Sequence, residues 1–253
     1  MSGWQFAGFL LCVTVASCAQ GITGFALALI LLGLSGLFEL APLTDVANVA
    51  TVLSLSSAAV SLPGARRFVQ RDIVIPTVNG SVVGLAAGVV LLAWLQANVI
   101  LVLRVLLGLV IVACAVIVLV RTETLPQRSS RRSFQAFGVL SGLLGGLFAA
   151  SGPPLVYQFY RQPLSLNAVR DTLVASLAAG SLVRLVMVVG SGQFSLRALW
   201  MALASVPLAM GITWWMRRHP PAWRRETVLK IVCALLVVTG VGLIAPAFAV
   251  LFG

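Results

Sequence analysis

A chain of 253 residues that is 60% hydrophobic and only 9% charged, with a mean hydropathy of +1.08, is not a water-soluble globule, because such domains carry roughly 25% charged residues. Seventeen Lys and Arg against six Asp and Glu leave a net charge of +11, but so apolar a chain has little polar surface on which to build a nucleic-acid-binding face. The basic excess reads instead as the cytoplasmic loops of a polytopic membrane protein.

Apolar stretches run over 4–19, 21–38, 41–63, 73–95, 98–120, 134–160, 165–190, 196–216 and 226–252. A helix needs about 20 residues to cross a hydrocarbon core of about 30 Å, and 73–95, 98–120, 196–216 and 226–252 meet that length. The first two stretches fall short of that length and are joined by Gln20-Gly21-Ile22-Thr23-Gly24, so 4–38 is read as a broken hairpin. No signal peptide is expected, since Met1–Gln5 has no basic residue and the apolar run continues past any cleavage point. The 134–160 stretch contains Gly142, Gly145, Gly146 and then Ser151-Gly152-Pro153-Pro154. Its reading is a broken, re-entrant hairpin, with a single kinked helix as the alternative.

Eleven of the seventeen basic residues fall in three loops: Arg66, Arg67 and Arg71; Arg121, Arg128, Arg131 and Arg132; Arg217, Arg218, Arg224 and Arg225. Placing all three in the cytoplasm predicts a multi-pass protein of the cell (inner) membrane with both termini outside. The two halves, 1–120 and 134–253, are joined by a cytoplasmic linker, 121–133, and overlay as an internal repeat. Gly21-x-x-Gly24 matches Gly142-x-x-Gly145, and a Thr follows 27 residues after the second glycine in each, at Thr51 and Thr172. Arg104 and Lys230 open the closing helix of each half. An odd net number of crossings per half makes the second half inverted, so the fold class is an all-α polytopic membrane protein of two inverted repeats with broken, Gly-rich segments. That is an architecture of secondary transporters, whose substrate sits near the midplane at the repeat interface.

At these residues the chain resembles the sulfite exporter TauE/SafE (TSUP) family. The likeness rests on QGITGFALALILLGL early in the first half, SGLLGGLFAASGPPL early in the second, the NAVRDT segment after it, and GSVVGLAAG and ASVPLAMG towards the end of each half. It covers nearly the whole chain. The first half departs from the pattern in having Ile22-Thr23 between its glycines and no counterpart of Pro153-Pro154. The resemblance implies a transporter of small sulfur-containing anions, sulfite or an organosulfonate such as sulfoacetate.

An anion at the midplane needs donors that carry little desolvation cost, and the unpaired N–H groups and positive dipole end of a half-helix supply them. Gly21, Gly24, Gly142, Gly145 and Gly146, with Gly152 and Pro153 at the second break, are the candidates to bring two such ends together from opposite sides; the bland alternative is close helix–helix contact. Gln20, Thr23, Asn48, Thr51, Ser54, Ser151 and Thr172 are the neutral polar candidates, although membrane Ser and Thr often bond their own preceding carbonyls. Arg170, Asp171 and Arg184 are the charges inside apolar stretches, and such charge is functional by default. Arg170 and Asp171 read as a cytoplasmic-side ion pair or gate, and Arg184 as an attractor of the anion or a snorkelling anchor. Tyr157 and Tyr160 read as interfacial belt or as gate hydroxyls.

Other classes find little purchase. Cys12, Cys18, Cys114 and Cys233 lie apart in apolar runs and His219 sits in a loop, so neither metal nor disulfide chemistry, nor any cofactor, is expected. No Ser/His, paired-carboxylate, HExxH or P-loop pattern is present. The chain is therefore read as a secondary transporter and not an enzyme, with a passive anion channel or a transporter of another small organic anion as alternatives. Proton or sodium coupling and a homodimer are both compatible with the sequence.

Overall fold

The computed structural model describes residues 3–62, 68–98, 100–119, 124–219, 233–242 and 244. All regular structure among them is helical: α1 (Gly3–Thr23), α2 (Leu27–Leu37), α3 (Leu43–Ser61), α4 (Arg71–Asn98), α5 (Ile100–Leu119), α6 (Arg131–Phe148), α7 (Gly152–Tyr160), α8 (Leu166–Gly190), α9 (Leu196–Arg218) and α10 (Cys233–Gly242). Helices satisfy every backbone group within the segment, which lipid cannot do for them. Five of these, α1, α3, α4, α8 and α9, are long and apolar enough to cross a membrane. Lys230, most of the 226–252 stretch, and Arg66, Arg67, Arg121, Arg224 and Arg225 lie outside the described residues.

One sequence expectation is corrected at the start of the chain. The first stretch was too short to span, with a break expected from Gln20, yet α1 runs 21 residues straight through Gly21. A glycine inside a helix costs only about 1 kcal/mol relative to alanine, which surrounding contacts override. The chain turns at Gly24, whose φ of +88° is a conformation that residues with a Cβ rarely adopt. A second interruption separates α6 from α7, where Ala149 sits in the left-handed region at φ 54°. Pro153 and Pro154 then occupy the first turn of α7, where a missing N–H breaks no intrahelical bond. The 134–160 stretch is thus two helices, not one kinked one.

The core is built around α2. Leu27 to Leu32 are all at most 3% exposed, as befits a helix apolar on every side. Around it α1 contacts α9, α3 contacts α8 and α9, and α4 contacts α6 and α8, so the two halves of the chain interleave. The closest pair is α4 with α6. Gly80, Gly84 and Gly88 face Gly138, Gly142 and Gly146, and a Cβ on any of the six would run into the backbone of the other helix. Glycine every fourth residue clears one stripe on each helix and lets the backbones touch. Gly108 and Gly240 do the same for α5 and α10.

Contacts between loops show which ends of the helices lie together. Arg128 Nη1 meets Asp72 Oδ2 at 2.8 Å, the Leu125 N–H donates to the Arg161 carbonyl, and the Gln70 N–H donates to Thr172 Oγ1 at 3.1 Å. Arg217 Nη1 donates to the Val60 and Ser61 carbonyls at 2.6 and 2.8 Å, capping the end of α3. The described parts of all three basic loops therefore gather at one end of the bundle. At the opposite end, called the acidic end for Asp45, Asn48 Nδ2 donates to the Gln193 carbonyl, and Ser195 Oγ donates to Asp45 Oδ1 at 2.6 Å. Ser195 is also the N-cap of α9, accepting from the Ala198 N–H. Ser195→Ala removes both bonds beside a carboxylate only 8% exposed, and should destabilise the protein by about 2 kcal/mol, read as a lower melting temperature in detergent.

Candidate functional site

The two interruptions meet. The Cβ of Phe25, from the α1–α2 turn, lies so close to Gly152, the first residue of α7, that a Cβ there would stand 2.8 Å from it. Beside this contact a cavity of about 590 Å³ opens, within the range of small-molecule sites. Its inner wall comes from both turns: Gln20, Gly21, Gly24, Phe25 and Ala28 on one side, and Ala149, Ser151 and Gly152 on the other. Ser54, Ser57 and Ser61 of α3 and Ser181 of α8 add a row of hydroxyls. Towards the basic end the walls are Phe68, Asn167, Arg170, Asp171 and Arg217.

The helices at this cavity run in opposite axial directions. From its first residue, Leu27, α2 heads towards the acidic end, whereas α7 heads from Gly152 back to the basic end. Both therefore turn their N-termini, with the positive end of the helix dipole, towards the same space. Neither N-cap, Ala26 or Ser151, forms a side-chain capping bond. Gly152 is the last residue of α7 to carry an amide hydrogen before Pro153 and Pro154, so the α7 end offers fewer donors than the α2 end. The side chain of Gln20 completes the polar wall, and its Oε1 is buried with no partner among the described residues. A carboxamide can turn either face to a ligand.

Of the residues singled out in the sequence, the fold brings Gln20, Gly21, Gly24, Ser54, Ser151, Gly152, Arg170 and Asp171 to this cavity. The others stand elsewhere. Thr23 shapes the first turn, donating to the Ala19 carbonyl at 2.8 Å and accepting from the Phe25 and Ala26 N–H groups. Gly142 and Gly146 face α4. Gly145 makes room for Ser151 Oγ, which lets the chain double back, and Ser141 Oγ donates to the Ser151 carbonyl at 2.7 Å. Pro153 is buried in the first turn of α7. The two repeat threonines have different partners: Thr51 accepts from Arg184, and Thr172 holds the Gln70 N–H. Asn48 is bonded at both ends of its amide, to Arg184 and to Gln193.

Two charges change roles. Arg184 is 2% exposed and bonded to α3 and α6, so it neither snorkels nor lines the cavity. Arg217, assigned from the sequence to a loop, stands at the cavity mouth. Sequence reasoning also missed Ser57, Ser61 and Ser181. The signal for the first two was present, because Ser54, Ser57 and Ser61 recur at helical spacing along one face of α3. Tyr157 stacks on Phe137 and accepts from Arg161 at 2.9 Å.

Comparison with known proteins places these features in context. A family model described as sulfite exporter TauE/SafE matches residues 9–243. The chain is 32% identical over 230 residues to a protein of Cupriavidus necator named "Probable sulfite/organosulfonate exporter TauE", covering 91% of this chain and 90% of that one. No solved structure matches it.

Proposed function

The chain belongs to the sulfite exporter TauE/SafE family, and from that premise we propose that it carries a small sulfur-containing anion, sulfite or an organosulfonate, through the cavity between the two broken helices. It is a multi-pass membrane transporter and not an enzyme. The observation that carries the proposal is the meeting of two helix N-termini of opposite direction at one polar cavity, since fixed dipoles hold an anion without a buried counter-charge to desolvate. Gln20, Gly24, Ser54, Ser151, Gly152 and Ser181 form the site in this reading, with Arg170, Asp171 and Arg217 at its mouth. The C. necator relative is named for the same substrates.

Orientation follows from charge. The positive-inside rule puts the basic end in the cytoplasm of the cell (inner) membrane, so the cavity opens inward, as an exporter's does when it loads. The contact pattern supports an inverted repeat of five helices each: α1 against α9 corresponds to α6 against α4, and α3 against α9 to α8 against α4. Two halves related in this way support alternating access.

The test is flux into and out of liposomes carrying the purified protein, with sulfite, thiosulfate, sulfoacetate and taurine, each with and without a pH or sodium gradient. Saturable flux of a sulfur anion that is accelerated by the same anion on the opposite side is the expected result. Flux of other organic anions alone would overturn the substrate, and flux without that acceleration would overturn the carrier mechanism. Within this assay Arg170→Glu should slow anion entry from the basic face about 10-fold at low ionic strength, with the deficit shrinking as salt screens the exposed charge.

A further inference from the structure

We propose that Arg184 is the outer latch of the transport path, a positioning residue that ties α8 to α3 and α6 just beyond the deep end of the cavity and keeps that end shut while the basic end is open. The proposal rests on the reading of the cavity as a transport path. Its geometry is specific. Nη1 donates to Thr51 Oγ1 at 2.6 Å, to Asn48 Oδ1 at 3.2 Å and to the Ala47 carbonyl at 3.4 Å, while Nη2 donates to the Gly146 carbonyl at 3.4 Å. Ser181 and Ser54 line the cavity. Arg184 follows Ser181 on α8 and Thr51 precedes Ser54 on α3, each three residues further towards the acidic end, or about 4.5 Å along the helix. The cluster is therefore the next layer outward from the cavity floor. Asn48 extends the seal by donating its Nδ2 to the Gln193 carbonyl in the turn before α9.

The chemistry suits a latch better than a permanent rivet. Every acceptor of this buried guanidinium is neutral, and no carboxylate lies within salt-bridge distance of it among the described residues. Its Nε has no partner among the described residues although the side chain is 2% exposed. A buried cation held by dipoles alone is incompletely compensated, and three of its four bonds are 3.2 Å or longer. The Gly146 carbonyl is one of the last four of α6, the group that a helix C-terminus leaves without an intrahelical donor. Arg184 thus grips the same broken segment whose far side, Ser151 and Gly152, faces the cavity. An anion settling at that turn draws the cation and shifts its carbonyl partner, so loading and outer release act on one group.

The experiment uses the full chain with Cys12, Cys18, Cys114 and Cys233 replaced by alanine and Ser181→Cys as the only thiol. A membrane-impermeant maleimide is applied to sealed vesicles from either face. With Arg184 present, the reporter should label from the basic face and resist labelling from the opposite one. Arg184→Gln and Thr51→Val should each raise the opposite-face rate at least tenfold, and Arg184→Lys, which keeps the charge but loses the fork, should fall between. Unchanged opposite-face labelling in variants that still label normally from the basic face would overturn the latch. If Arg184→Gln does not insert, Thr51→Val decides, because it leaves the cation and its other three bonds in place. Labelling needs no substrate, so the two readings fail separately. A responsive latch with no sulfur-anion flux by the wild-type chain overturns the substrate, and saturable wild-type flux with an unresponsive reporter overturns the latch.

Discussion

Gly142→Leu should cost the protein its fold. The Cβ it adds runs into the Ser81 carbonyl and would stand 2.8 Å from Ser81 Cα, and both are backbone, so no rotamer relieves the clash. The α4 and α6 axes must separate, which also opens the neighbouring Gly84 and Gly146 contacts along the stripe. Overpacking of a well-filled core costs about 1–3 kcal/mol, and a backbone clash at the centre of a glycine stripe belongs at or above the upper end. That corresponds to a melting temperature lower by roughly 10 °C in detergent, or to no folded yield. Gly84→Leu should do the same. Gly211→Ala is the control, because a Cβ at Gly211 meets nothing within 4 Å and alanine is the better helix former by about 1 kcal/mol. A Gly142→Leu protein that melts like the wild type would refute the close α4–α6 contact.

Gly24→Val should leave the protein folded and abolish transport. A Cβ at Gly24 meets nothing within 4 Å, so the cost is conformational and not steric. At φ +88° a residue with a Cβ is strained by about 1–2 kcal/mol, and a β-branched one by more. The turn can relax only by rotating the start of α2, and with it the amide groups presented to the cavity. Transport that depends on those donors should drop at least tenfold, since removal of one preorganised donor at a charged site costs about 3 kcal/mol. The readout pairs initial flux with the detergent melting curve. Normal flux would show that the α2 N-terminus is not part of the site. The contrast between Gly24 and Gly142 separates the two uses of glycine in this chain: a backbone conformation at one, and close approach of two helices at the other.

Much of the fold was legible in advance because it follows from one-dimensional quantities. Apolar length marked the helices, and the basic loops predicted which helix ends lie together. The described loop contacts, such as Arg128 with Asp72 and Arg217 with the end of α3, put those ends side by side. Gly24, Ser151 and Gly152 were legible as breaks because Gly and Pro act through local backbone geometry. The start of the first break was misread, since Gly21 sits comfortably inside α1 and carries no mark that distinguishes it from Gly24.

Hydropathy, charge and the restrictions on Gly and Pro all act within a few residues of chain, and they suffice to specify a membrane-embedded bundle of helices with two interrupted segments. Which glycines meet helices and which meet the cavity emerges from the packing, because it depends on the neighbour each stripe faces: Gly142 and Gly146 look towards α4, Gly24 and Gly152 towards the cavity. The packing also decided the place of Arg184. A lone arginine in an apolar run reads alike whether it snorkels, binds an anion or joins helices. The carbonyls and hydroxyls that hold it come from residues more than 35 positions away in the chain, at Gly146 and at Ala47 to Thr51, and no local pattern encodes that meeting.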